Sequence, residues 1–151
     1  TAKARGADKE IRDSSIVWLH EQWLYSLVYD FMHSANKNSG WDIEVDAAEA
    51  MQLTKYKKKG FYNYHKDGSG FEVYNYPNNK FLHNKARKIS MTTLLNDTFK
   101  GGEFQFYNNE PIKMNKGDVI VFPSFEYHRV LPVTKGVRHS LVTWFVGPKY
   151  K

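Results

Sequence analysis

From Trp41 to its C-terminus the sequence is a succession of short β-branched, aromatic and apolar runs separated by Gly, Pro and Asn. Segments of that length cannot each bury a core alone, so they must stack or close into a sandwich or barrel. The runs expected as strands are residues 50–55, 61–66, 88–95, 103–106, 118–122, 129–133 and 138–146, with residues 122–130 read as one further extended stretch. Ahead of them, residues 14–19 read as a strand carrying Val17 and Trp18. Residues 21–37 then place Trp23, Leu24, Leu27, Val28, Phe31 and Met32 on one helical stripe, suited to packing against a flat surface. Asn36-Lys37-Asn38-Ser39-Gly40 ends that helix with breaker residues. His33 stands near its C-terminal end, where a cation is favoured, and is read as a helix-end residue.

The chain of 151 residues fits one domain, with residues 1–7 expected as a frayed end. It has no cysteine, which excludes disulfides and cysteine-ligated metal sites and fits a reducing, cytoplasmic setting. No apolar run approaches the roughly 20 residues of a membrane-spanning helix, and no secretory apolar region opens the chain. The net charge of +6 keeps nucleic acid open as a partner. It is not favoured, because Lys57-Lys58-Lys59 is the one tight basic cluster and reads as a solvated turn. Aromatic residues make up 16% of the chain, enough to wall a pocket with rings.

Chemistry concentrates at His65-Lys66-Asp67 and, far along the chain, at His128. In an extended segment alternate side chains share a face, so His65 and Asp67 point together while Lys66 points away. Two imidazoles and one carboxylate on one side of a metal leave the opposite positions open, as in the facial triad of non-haem Fe(II) oxygenases. Catalytic zinc accepts the same donor set. Arg138, ten residues beyond His128, favours iron over zinc: its guanidinium can clamp a carboxylate with two parallel hydrogen bonds. Ser140, Val142 and Trp144 share its strand face. Ser140 is placed to add a hydrogen bond to that carboxylate, and Trp144 either walls a pocket or fills the core. Gly101-Gly102 reads as a turn needing unusual dihedrals. Residues 68–86 follow Asp67 directly and are too long for a plain connection, so a functional or disordered loop is expected.

Several stretches resemble one family in the same order, from about Arg12 to Pro148. Tyr56, Gly60-Phe61-Tyr62 and His65-Lys66-Asp67 are similar to the Tyr…Gly-x-Tyr-x-x-His-x-Asp segment of the prolyl 4-hydroxylase-like 2-oxoglutarate, Fe(II)-dependent dioxygenases. Arg87-Lys88-Ile89-Ser90, Leu94-Leu95-Asn96 and Gly101-Gly102-Glu103-Phe104 resemble that family's Arg-x-x-Ser…Leu-Asn…Gly-Gly-Glu-Leu run. The stretches 117–124 and 128–138 resemble its closing segment.

The resemblance implies a mostly β fold, a double-stranded β-helix (jelly roll, cupin-like) with a flanking N-terminal helix, of the compact bacterial or phage type. One early helix or strand of the usual domain is expected to be absent or abbreviated. It implies Fe(II) held by His65, Asp67 and His128, with O2 and 2-oxoglutarate as co-substrates and ascorbate as an optional reductant. The 5-carboxylate of 2-oxoglutarate would meet Arg138, with Tyr56 touching the same molecule. Where many members carry a tyrosine this chain has Leu94, and Thr92, on the same face, is the candidate replacement. Residues 68–86 would form a mobile lid. Tyr62, Tyr74, Tyr76 and Trp144 are candidate substrate contacts, with Phe71 and Phe81 further along the lid; the lid rings serve equally well as loop packing. The implied reaction is oxidative decarboxylation of 2-oxoglutarate to succinate and CO2, coupled to hydroxylation of an unactivated C–H bond. A prolyl residue in a peptide or protein is the favoured substrate. A free amino acid, a nucleic acid, or a non-catalytic jelly-roll binding module are the alternatives.

Overall fold

The computed structural model describes residues 2–3 and 11–151. In chain order the elements are β1 (Ala2–Lys3), β2 (Arg12–Asp13), β3 (Ser15–Leu19), α1 (Gln22–Asn38), β4 (Ala47–Ala48), β5 (Met51–Tyr56) and β6 (Phe61–His65). Then follow β7 (Ala86–Leu94), β8 (Phe99–Gly101), β9 (Phe104–Phe106), β10 (Val119–Pro123), β11 (His128–Val130), β12 (Val133–Gly136) and β13 (Arg138–Gly147). The larger sheet runs β1-β3-β5-β13-β7-β10, with β4 continuing the β5 side of β13. A second sheet runs β2-β6-β11-β9, and β12 pairs with β8. Every pairing is antiparallel. This is the jelly-roll arrangement that the strand pattern and the resemblance imply. The frayed end expected over residues 1–7 falls mostly outside the described residues, although Ala2–Lys3 pair with Ser15 and Ile16.

The period-2 alternation of β13 gives the larger sheet two different faces. Leu141 and Phe145 join Met51, Ile89 and Met91 against Val28 and Met32 of α1. Arg138, Ser140, Val142 and Trp144 turn the other way, into a cavity between the sheets. A second apolar cluster of Tyr56, Phe104, Phe122, Val130 and Val133 closes the inside of the roll.

Three expectations change. The helical stripe splits, because the sheet covers the side bearing Val28 and Met32, both essentially buried, while Trp23, Leu27 and Phe31 stand 66%, 48% and 44% exposed along a flanking ridge. The stretch 122–130 is not one strand: β10 stops at Pro123, a turn closed by Glu126 N–H to the Pro123 carbonyl intervenes, and β11 starts at His128. The stretch 129–133 is likewise divided after Val130, where Pro132 has no N–H for a ladder, and its carbonyl instead accepts from Gly102. Among the described residues, no helix is long and apolar enough to cross a membrane.

Candidate metal centre

His65 ends β6 and His128 begins β11, and the two are direct cross-strand partners in that antiparallel pair. The ladder therefore converts a separation of 63 residues in sequence into ring centroids 4.2 Å apart. Asp67 follows just beyond β6, where its N–H and that of Gly68 both donate to the Ser124 carbonyl at 3.0 and 3.1 Å. The turn that interrupts the expected strand is thus what fixes the carboxylate. Ligand atoms of His65, Asp67 and His128 all lie within 4.8 Å of one another. His65 Nε2 is 3.4 Å from one Asp67 oxygen and His128 Nε2 is 3.6 Å from the other.

Both imidazoles are oriented by backbone. His65 Nδ1 meets the Asn63 carbonyl at 2.7 Å and His128 Nδ1 meets the Glu126 carbonyl at 2.8 Å. A carbonyl oxygen only accepts, so each Nδ1 carries the proton and each Nε2 lone pair faces Asp67 when the ring is neutral. Tyr62 stacks on His65 with centroids 3.5 Å apart, and Phe104 stacks on His128 at 5.2 Å. Burial alone would raise the Asp67 carboxyl. Once acid protonates the rings, the hydrogen bond from His65, the fields of His128 and His65, and a bond from Ser90 outweigh it and hold the group well below the usual carboxylate range. Burial pushes the His128 imidazole below its ordinary value, against the opposing pull of Asp67. An oriented pair of imidazole nitrogens beside a carboxylate is the donor set that Fe(II) accepts on one face, and the residues fit that ion.

One cavity contains this triad together with Arg138, Tyr56, Ser140, Thr92, Tyr62 and Trp144. Arg138 is 1% exposed, its Nε has no hydrogen-bond partner, and among the described residues no carboxylate pairs with it. Tyr56 stands directly opposite it across the β5–β13 ladder, with the guanidinium 5.6 Å from the phenol ring centre. Leu94 pairs with Ser140, and Thr92 with Val142, so the threonine is the polar side chain that β7 contributes to the cavity.

The tyrosines of the loop after Asp67 lie elsewhere. Tyr74 donates to both oxygens of Glu49 at 3.1 Å and stacks on Tyr76 with centroids 5.2 Å apart; neither lines the metal cavity. Phe71 and Phe81 are exposed. Glu49 is gripped by Arg87 through bonds of 2.6 and 2.9 Å, and the Arg87 guanidinium lies 4.0 Å above the Trp144 ring.

Two residues of the site escaped sequence reasoning. Arg87 was visible only within the Arg-x-x-Ser resemblance, and its partner Glu49 has no motif. Arg12, which lines the cavity, stands opposite Tyr62 in the β2–β6 pair; it belongs to a two-residue strand that no apolar run marks in the sequence.

A jelly roll holding two histidines and one aspartate on one face of a cavity defines the mononuclear-metal class of this fold. Residues 51–146 match the family model of the 2OG-Fe(II) oxygenase superfamily, and the chain belongs to that family. A PKHD-type hydroxylase of Xylella fastidiosa (strain M12) is 33% identical over 98 residues, covering 62% of this chain and 42% of that protein. The chain therefore spans less than half the length of that relative. The viral collagen prolyl hydroxylase of Paramecium bursaria Chlorella virus-1, in its 2OG complex, superposes with a TM-score of 0.72 at 19% identity, covering 95% of this chain and 83% of that one. A Pseudomonas putida prolyl-4-hydroxylase superposes with a TM-score of 0.69 at 21% identity, covering 99% and 78%. Both share the fold.

Proposed function

We propose that the chain is the catalytic domain of a 2-oxoglutarate- and Fe(II)-dependent hydroxylase whose primary substrate is a prolyl residue of a peptide or protein. The observation that carries this reading is the buried Arg138 guanidinium, unpaired among the described residues, in the same cavity as the triad. A buried cation without a counter-ion is costly, so the site is built for an anion that arrives with the reaction. A zinc hydrolase has no use for one there. When bound, iron with O2 and 2-oxoglutarate supplies the oxidising chemistry, yielding succinate, CO2 and a hydroxylated substrate.

His65, Asp67 and His128 would hold the metal through Nε2, a carboxylate oxygen and Nε2. Arg138 would bind the distal carboxylate of the co-substrate, helped by the hydroxyls of Ser140, Thr92 and Tyr56. A dication, the Asp67 anion, a dianionic co-substrate and Arg138 then balance in charge, which permits their burial together. Tyr62 and Trp144 wall the remaining space and exclude water from the reacting carbon. The prolyl substrate is supported by the names of the two proteins that share the fold and by the PKHD-type hydroxylase relative. Ascorbate stimulation and a reducing cellular setting, which a chain without cysteine tolerates, belong to the same proposal.

The test is anaerobic titration of the metal-free protein with Fe(II) and then 2-oxoglutarate, followed by visible spectroscopy. A charge-transfer band is expected in the wild type and should be absent from the His65→Ala and His128→Ala proteins. Arg138→Ala should raise the 2-oxoglutarate concentration needed for the band by at least about 30-fold, the size expected on truncating one member of a buried charge pair. A folded wild type that takes up metal without a band would overturn the oxygenase reading in favour of a zinc or binding module.

A further inference from the structure

Among the described residues, five buried side-chain nitrogen or oxygen atoms lack a hydrogen-bond partner, and three of them belong to residues lining the metal cavity. They are Arg12 Nη2, Arg138 Nε and Trp144 Nε1. All three are donors and none can accept. Buried donors are rarely left unsatisfied, so acceptors on a molecule bound in this cavity are the natural partners for them. The co-substrate carboxylate accounts for Arg138. It leaves Arg12 Nη2 and Trp144 Nε1 without an acceptor among the described residues.

Arg12 is already fixed in place. Its Nε donates to Ser14 Oγ at 2.6 Å, and its guanidinium lies 4.6 Å above the centre of the Tyr62 ring. The other face of the problem is charge. With Arg138 alone, the metal, Asp67 and a dianionic co-substrate sum to neutrality. Arg12 adds one positive charge to the same cavity, and among the described residues no carboxylate pairs with it. Arg12 is half-buried, and its Nη2 is the buried end of a cation that no carboxylate of the described residues pairs with. Tyr62 stacks in turn on His65, so the Arg12 guanidinium lies one ring away from the triad that would hold the metal.

We infer that Arg12 is a specificity-determining residue that binds a carboxylate of the primary substrate, with Trp144 Nε1 donating to an oxygen of the same molecule. The inference rests on the co-substrate assignment made above, because that assignment is what removes Arg138 from the count. The carboxylate can belong to an acidic side chain next to the target proline or to the α-carboxyl group of a proline with a free C-terminus. The guanidinium recognises both through the same pair of hydrogen bonds.

The experiment is calorimetric titration, under argon, of the protein loaded with Fe(II) and 2-oxoglutarate. Matched probes separate the two sources: N-acetyl-L-proline against N-acetyl-L-prolinamide, and capped tetrapeptides with Asp before or after Pro against their Asn counterparts. At least one carboxylate probe is expected to bind about tenfold or more tightly than its neutral twin, as for a charge-assisted hydrogen bond. Arg12→Gln should bring that ratio to near one, and Arg12→Lys, which keeps the charge and the stem over Tyr62, should retain part of it. Equal binding of both members of every pair overturns the inference, as does absence of binding by every carboxylate probe. It is also overturned if Arg12→Gln raises the 2-oxoglutarate requirement of the charge-transfer band while the carboxylate preference survives. Formation of the band in the wild type tests the oxygenase reading separately, so a protein with the band and no carboxylate preference loses this inference alone.

Discussion

A Cβ placed on Gly102 would stand 2.9 Å from Arg138 Cδ, so the absence of a side chain at residue 102 sets where the buried guanidinium can lie. Gly102 also has a φ of 64°, and Gly101 before it 72°, in the left-handed region that L residues avoid. Its N–H donates to the Pro132 carbonyl at 3.1 Å, which holds the turn against the β11–β12 corner. We predict that Gly102→Ala costs about 1–2 kcal/mol from the left-handed backbone alone. The added contact with Arg138 should also weaken 2-oxoglutarate binding. Thermal unfolding and the co-substrate dependence of the charge-transfer band check the two parts. Wild-type co-substrate affinity in a folded Gly102→Ala protein would show that Arg138 is not confined by this contact.

Acid should loosen the metal centre in a definite order. His128 is held neutral in the fold, with its imidazole below the ordinary value of 6.5 mainly through burial. An unfolded chain takes up that proton first, so stability of the metal-free protein from this group is complete above about pH 6.5 and is lost as pH falls through the lower folded value. Asp67 behaves likewise further into acid: its carboxyl is depressed in the fold, so its contribution is present above the ordinary value of 3.8 and lost below it. Metal must compete with protons for the same Nε2 lone pairs, so Fe(II) affinity should decline across the histidine range. Denaturant titrations and metal binding between pH 8 and 5 (roughly the histidine window) measure both. Affinity independent of pH there would remove the histidines from the ligand set.

The helix offers a contrast within one stripe. Met32 is fully buried against the larger sheet, whereas Trp23 is 66% exposed. Met32→Ala should cost about 2–5 kcal/mol, as for other large-to-small core changes. Trp23→Ala should stay within about 0.5 kcal/mol, as for surface substitutions. Chemical denaturation compares them directly. Similar losses for both would mean that the ridge of Trp23, Leu27 and Phe31 packs on something in solution.

That contrast also marks what the sequence makes legible. Period-2 alternation is local, so the strand face shared by Arg138, Ser140, Val142 and Trp144 is readable from residue spacing alone, whereas Asp67 lies beyond β6 and owes its position to the Ser124 carbonyl. Helical periodicity shows which residues share a stripe but not how wide a surface the sheet offers, and so Trp23 reads like Val28. The division of 122–130 follows from hydrogen bonding over a distance. Ser124 and Glu126 leave the ladder because their carbonyls serve Asp67, Gly68 and His128, and no local propensity records that demand. Arg12 is illegible for the same reason. Its place in the cavity depends on pairing β2 with β6, a register that only the assembled sheet defines.

Glu49 joins the loop after Asp67 to the metal cavity. Its carboxylate accepts two bonds from Arg87 and is shared by the Tyr74 hydroxyl, while Arg87 reaches the Asp67 carbonyl at 3.4 Å and covers the Trp144 ring. Replacing the carboxylate by an amide of the same shape weakens each of these bonds, since charge-assisted hydrogen bonds are roughly twice as strong as neutral ones. Glu49→Gln should therefore speed amide exchange of Tyr74 and Asn84, whose N–H groups bond to the Lys85 and Tyr74 carbonyls across the loop. The ladder between β13 and β7 should keep its protection, because its bonds do not pass through Glu49. Hydrogen exchange read by residue separates the two regions. Uniformly faster exchange in both would mean that Glu49 supports the whole fold, and unchanged exchange in the loop would mean that Tyr74 is held by its packing on Tyr76 instead.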